Sequence, residues 1–209
     1  MAATDERRDA LVERLFEATL GTWDLLAVYL GGRLGLYRAL ADQGTLTVPA
    51  LAEATGTNER YVREWLEQQA TSGILEVDDA GKDANERRYS LPAGHDEALL
   101  DETSLNFIAP IAKLVAACTT ALDELVEAFA TGDGVPYTSY GADLHEGQAE
   151  FTRPMFDTLL GSEWLPAIRD VHERLESDPP ARVADVACGQ GFSSLAIARA
   201  YPKVRVDGI

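Results

Sequence analysis

The residues of this chain best suited to chemistry lie near its C-terminus, in the run Val183-Ala-Asp-Val-Ala-Cys-Gly-Gln-Gly191. An acid, Asp185, sits late in an apolar stretch, and the small residues Ala187, Gly189 and Gly191 follow at alternate positions. Glycines reach backbone conformations that other residues resist and let a ligand approach the main chain closely. The helix-forming run that starts at Phe192 would present unpaired amides and its positive dipole end to such a ligand. A dinucleotide fingerprint wants Gly-x-Gly-x-x-Gly, yet the third residue after Gly191 is Ser194. A phosphate-cradling Gly-Lys-Ser or Gly-Lys-Thr does not occur. Asp185 would repel a pyrophosphate and attract an ammonium group. Other chemistries have little support. His95, His145 and His172 are scattered, with no metal-ligand spacing between them, so no metal site is expected. Ser193 is outside any Gly-x-Ser-x-Gly elbow, and Cys188 reads as a small apolar filler rather than a nucleophile. Asp143-Leu144-His145 could form an acid and base pair, but a solvated loop is the preferred reading.

The loop needs elements to hold it. Residues 182–187 read as a short apolar strand, 192–201 as a helix and 204–209 as a second strand. Strand, glycine turn, helix, strand implies a parallel, doubly wound sheet. Such a sheet is covered on both faces, which two strands and one helix cannot achieve, so the sequence is expected to be the N-terminal part of a longer protein.

Upstream, residues 5–20 and 22–30 carry apolar residues at helical spacing and predict two helices. Gly31, Gly32 and Gly35 imply either a close approach by another backbone, as in a dimer or interdomain contact, or a kink. From Leu46 the punctuation is regular. Thr47 caps a helix with Pro49 in its first turn and Gly56 as its stop, and Thr57 caps a second helix. Tyr61, Val62, Trp65, Leu66 and Ala70 form the apolar stripe of that second helix, which ends at Gly73. Strands over 74–77 and 88–91, joined by a polar turn, complete the order of a winged helix. The second helix carries Glu59, Arg60, Arg63, Glu64 and Glu67, too acidic a face for a DNA groove.

Residues 103–131 predict one long amphipathic helix, 132–141 a loop, and 143–177 helix broken near Pro154 and Gly161. The aromatic residues of this region fit a core. In the functional alternative, Tyr137, Tyr140, Phe156 and Trp164 line a pocket for a flat organic substrate. Residues 177–180, Ser-Asp-Pro-Pro, read as a linker.

Composition bounds the partners. The 209 residues contain 35 Asp plus Glu against 18 Lys plus Arg, a formal net charge of −17 that repels nucleic acid and anionic lipid. No secretory signal or membrane-spanning run is apparent. Cys118 and Cys188 lie far apart, as suits a reducing cytoplasm.

The run from Val183 to Gly191 resembles the first motif of class I S-adenosylmethionine-dependent methyltransferases, in which an acid precedes glycines spaced as Asp-x-Gly-x-Gly-x-Gly. Asp185, Gly189 and Gly191 match, and Ala187 replaces the first glycine. The whole chain resembles a bacterial two-domain family that joins a winged helix to such a domain. Residues 59–67, 88–92 and 134–137 are similar to that family's segments. The resemblance implies a mixed α and α/β fold: a mainly helical winged-helix domain and helical linker, then the first strand-helix-strand of a Rossmann-like sheet. It implies a winged-helix and dimerisation domain over 1–95, a helical linker and substrate cap over 96–178, and the start of a cofactor domain over 179–209. Asp185, Ala187, Cys188, Gly189 and Gly191 would line the S-adenosylmethionine site. The partners implied are a small-molecule methyl acceptor and a second copy, through the N-terminal helices. The second-strand acid that binds ribose in the family would follow the pair Gly208-Ile209, and Asp207 is too early for that role. The alternative function is a winged-helix regulator or dimeric scaffold with a degenerate methyltransferase domain.

Overall fold

The computed structural model describes residues 2–209, which group into two compact units, one running to Leu100 and the other Asp101–Ile209. The first begins with α1 (Ala2–Arg33), a single continuous helix where the sequence predicts two. Gly21 sits in open space and costs α1 only its propensity, about 1 kcal/mol against Ala. Gly31 has a different role. A β-carbon there would lie 2.5 Å from both the Trp65 and Tyr37 rings, so the close approach at this glycine is by side chains of the same unit and not by another backbone, while Gly35, at φ 70°, sits in the turn that follows α1. α2 (Leu36–Gln43), β1 (Leu46–Thr47), α3 (Val48–Thr55), α4 (Glu59–Thr71), β2 (Glu76–Val77), β3 (Arg88–Ser90) and α5 (His95–Leu100) follow.

Thr47 accepts the Ala50 amide at the start of α3, and Gly56 ends the helix in the left-handed region at φ 66°, as the punctuation predicts. The cap of α4 is Asn58 rather than Thr57: Asn58 Oδ1 accepts the Arg60 amide at 3.1 Å, while the Thr57 hydroxyl bonds that of Thr55 at 2.7 Å. The wing has three antiparallel strands in the order β1-β3-β2, not two. β1 has only two residues, too few to carry an alternating pattern. Tyr37, Leu40, Leu51, Leu66 and Tyr89 form the fully buried centre with Gln69, whose side-chain carbonyl accepts the Tyr37 hydroxyl. Tyr61, expected in the apolar stripe of α4, is 74% exposed.

Among the described residues, α1 is held near its C-terminal end. The Trp65 indole donates to the Ala27 carbonyl at 2.8 Å, and Asp24 accepts from Gln68 at 2.7 Å and from Ser72 at 2.5 Å. Residues 4–23 are all exposed, including Leu11, Leu15, Phe16, Leu20 and Trp23.

In the second unit the helix predicted over 103–131 is replaced by turns and then two helices, α6 (Pro110–Thr120) and α7 (Leu122–Thr131), separated at Ala121. A 3-10 turn at Tyr137–Tyr140 leads into α8 (Gly141–Met155), a π-helical segment Phe156–Trp164, α9 (Leu165–Ala167) and α10 (Arg169–Glu176). The break predicted near Pro154 takes the form of a change from α to π winding between Met155 and Phe156, and none occurs at Gly161. Pro154 lies in the last turn of α8, and Gly161 allows direct contact with the Ala200 β-carbon. β4 (Arg182–Asp185), α11 (Phe192–Ala200) and β5 (Arg205–Gly208) form the expected strand-helix-strand unit. β4 and β5 pair in parallel, with Val183 opposite Val206 and Asp185 opposite Gly208. Leu175, Ala181, Ile197, Tyr201 and Val204 form its core, packed against Leu160, Leu165 and Val171. Among the described residues no helix is long and apolar enough to cross a membrane.

Candidate functional site

β4 ends at Asp185, and the chain must turn before α11 can begin. The turn uses three left-handed residues: Ala187 at φ 59°, Gly189 at φ 56° and Gly191 at φ 79°. The end of β5 braces it. The amides of Ala187 and Cys188 donate to the Ile209 carbonyl at 2.8 and 3.4 Å, and the Ile209 amide returns a bond to the Asp185 carbonyl at 3.0 Å. Gly208 makes this possible, because a β-carbon there would meet Cys188 Sγ at 2.9 Å and Ser194 Oγ at 3.2 Å. Gly191 occupies the position before the first turn of α11, whose opening amides have no partners within the helix. The Asp185 carboxylate accepts the hydroxyls of Ser193 and Ser194 at 2.6 and 2.7 Å, both on Oδ2, which fixes it beside the loop.

Ala187 is the described residue other than glycine with positive φ. An L-residue with a β-carbon costs about 1–2 kcal/mol in that region. Ala187→Gly is therefore expected to stabilise the chain by about 0.5–1 kcal/mol, after allowing for the greater unfolded-state freedom of glycine. Urea denaturation measures this, and a destabilised variant would refute it.

The loop opens on a cavity of about 940 Å³ between α8, the π-helical segment and α11. Asp185, Ala187, Cys188 and Gly189 line it, with Tyr137 and Phe156 on its walls. Gly191 shapes the loop from behind and is not part of the lining. Tyr140 instead borders a separate depression of about 430 Å³ with Phe129, and Trp164 packs edge-on to Phe156 at a centroid distance of 6.4 Å, outside the cavity lining. Of the four aromatic residues singled out by sequence, the cavity gathers Tyr137 and Phe156.

It also gathers residues that the sequence reading does not place at the site. His145, Gln148 and Thr152 recur at helical spacing along α8, and Gln190 and Ser193 face the cavity from the loop and α11. His145 is thus on a helix rather than in the loop expected for it, though exposed as that reading held, and it lies edge-on to Tyr137 with centroids 4.3 Å apart. Its i, i+3, i+7 relation to Gln148 and Thr152 was the available signal, masked because all three residue types also suit a solvated helix face. Asp207, opposite Ala184, pairs with Arg182 at 2.9 Å and Arg205 at 3.0 Å. Hydrogen bonds from those two guanidinium groups hold its carboxyl below the usual range.

Comparison with known proteins matches residues 24–101 to the Rv2258c-like winged HTH domain family. The match starts where α1 becomes anchored, at Asp24. The mitomycin biosynthesis 6-O-methyltransferase of Streptomyces lavendulae is 29% identical over 204 residues, 95% of this chain and 56% of that protein. The chain therefore spans little more than half the length of the curated relative it matches. Among solved structures, the mitomycin 7-O-methyltransferase MmcR superposes with a TM-score of 0.65 at 24% identity, over 97% of this chain and 58% of its own. Human N-acetylserotonin methyltransferase, solved in complex with S-adenosylmethionine, gives a TM-score of 0.60 at 17% identity over 95% of this chain and 58% of its own. Residues 24–101 thus match the Rv2258c-like winged HTH domain family, and the chain shares its fold with the corresponding part of the solved methyltransferases on which it superposes.

Proposed function

We propose that the loop between β4 and α11 binds S-adenosylmethionine and that the protein containing this chain methylates a small organic acceptor. The observation that carries this reading is the conjunction of the left-handed residues Ala187 and Gly189 and the Asp185 carboxylate on the wall of one cavity, with Gly191 setting the open first turn of α11 behind them. These residues suit the ligand. Asp185 offers its negative charge to the ammonium of the methionine portion, while Ala187, Cys188, Gly189 and Gly191 let the backbone come within contact of the rest. The cofactor supplies an electrophilic methyl group on sulfur. The protein has little covalent work to do, since aligning donor and acceptor while excluding water lowers most of the barrier. In this reading residues 1–95 form the winged-helix and dimerisation domain, 96–178 the linker and cap, and 179–209 the start of the cofactor domain. Tyr137 and Phe156 receive the acceptor, Tyr140 and Trp164 support the cap, and any group that takes the acceptor proton is left unassigned.

A second copy of the chain is the proposed macromolecular partner, packed along the exposed apolar face of α1. The acidic wing and α4, in which Arg63 is engaged by Asn85 and Arg87 by Glu67, argue against the regulator reading with DNA as ligand. The separated cysteines fit a reducing cytoplasm. Isothermal titration of the protein containing this chain with S-adenosylhomocysteine tests the assignment. Micromolar affinity is expected, with no response to NAD; binding of NAD instead would return the loop to the dinucleotide class.

A further inference from the structure

The chain has three histidines, and two of them are committed to structure. His95 Nδ1 bonds the Ile74 carbonyl at 2.9 Å, and His172 Nδ1 bonds the Tyr201 hydroxyl at 2.8 Å. His145 has only the ring contact with Tyr137 among the described residues, and it borders the cavity. The interplanar angle of 72° sets the imidazole edge-to-face with the phenol, a favourable arrangement between aromatic rings that biases the orientation of His145. Around it the cavity divides. Phe156, Leu160, Phe192 and Ile197 are apolar, whereas His145 and Gln148 provide hydrogen-bonding groups on α8. Across the cavity Asp185 Oδ2 is already taken by two serine hydroxyls. An imidazole can donate from one ring nitrogen and accept at the other, so it suits a hydroxyl, which does both.

We propose that His145 is a specificity-determining residue that hydrogen-bonds the hydroxyl of a planar acceptor, whose ring rests between Tyr137 and the apolar wall. This rests on the proposed methyltransferase reading but assigns a residue and a ligand chemistry that the reading leaves open.

The test uses 7-hydroxycoumarin and coumarin as probes, which differ only in the hydroxyl, with the protein containing this chain saturated by S-adenosylhomocysteine. Titrations followed by fluorescence and by the imidazole resonances in NMR spectra are expected to show 7-hydroxycoumarin binding about fivefold to tenfold tighter than coumarin, the contribution of one hydrogen bond. The resonances of His145 should move while those of His95 and His172 stay in place. His145→Phe should bind both probes equally and retain S-adenosylhomocysteine affinity. Equal binding of the probes by the unaltered chain, no binding of either, or an His145 shift caused by S-adenosylhomocysteine alone would overturn the assignment. Failure to bind S-adenosylhomocysteine at all would instead sink the methyltransferase reading, and the two failures are read in separate titrations.

Discussion

Replacement of Gly191 by valine is expected to lower the affinity for S-adenosylhomocysteine at least a hundredfold, about 2.7 kcal/mol, while leaving the fold intact. Gly191 has φ 79°, and nothing lies within 4 Å of the place where its β-carbon would be. A side chain is therefore not excluded by its neighbours. It is excluded by its own backbone, because an L-residue costs about 1–2 kcal/mol in this region and β-branching adds crowding. To relieve that cost the peptide planes on either side of residue 191 must rotate. Those planes carry the Gly191 amide, which donates to the Cys188 carbonyl at 2.9 Å, and its carbonyl, which accepts the Leu195 amide at 2.9 Å. Rotation would misdirect the first-turn amides of α11 proposed to meet the ligand. Gly191→Ala should lie between, with a loss of about tenfold. Titration calorimetry alongside circular dichroism separates binding from folding. Unchanged affinity in a folded Gly191→Val chain would remove the cofactor assignment.

The second large effect concerns α1. Over residues 4–23 the helix touches nothing that buries it, yet it carries Leu11, Val12, Leu15, Phe16, Leu20 and Trp23, each at least half exposed. The i, i+4 relations of Leu11 with Leu15, Val12 with Phe16, and Phe16 with Leu20 place these residues on one broad face. A helical stretch of this length is marginal in water by itself, so a partner surface is needed to hold it. A symmetric pair supplies that surface from the same sequence, because an isologous contact brings the same face of both helices together. The chain is expected to sediment at twice its 22.6 kDa mass, and Phe16→Asp to weaken association at least a hundredfold. The expected loss is large because symmetry inserts two carboxylates into one apolar contact, where neither has a counter-charge. Helical circular dichroism should fall in parallel as the freed arm frays, while the domain from Asp24 onward keeps its cooperative transition. Analytical ultracentrifugation over a concentration series reads the outcome, and a monomeric unaltered chain would dispose of the idea.

Much of the first unit is legible in the amino-acid order because its signals are local. Thr47, Pro49 and Gly56 each act on the backbone within a few residues, and they fall where they are predicted. The third wing strand was not legible, since β1 exists only through its pairing with Arg88 and Tyr89 some forty positions away. The helix predicted over 103–131 failed for a related reason. Periodicity records where apolar residues recur, but it cannot see the turn at Ala121 that separates α6 from α7.

At the candidate site the same division holds. Asp185 with the residues spaced through to Gly191 determined the strand, the glycine turn and the helix start, because left-handed backbone and a free helix end are properties of a short segment. Tertiary structure alone decided which side chains share the cavity. It brought Tyr137 and Phe156 to the loop, sent Tyr140 and Trp164 elsewhere, and turned His145 from an expected loop residue into part of the wall. Those outcomes depend on how α8 and the π-helical segment wind past α11, where Gly161 meets Ala200. Packing of this kind sums many weak contacts between residues far apart in the chain, and no local pattern of residue types encodes that sum.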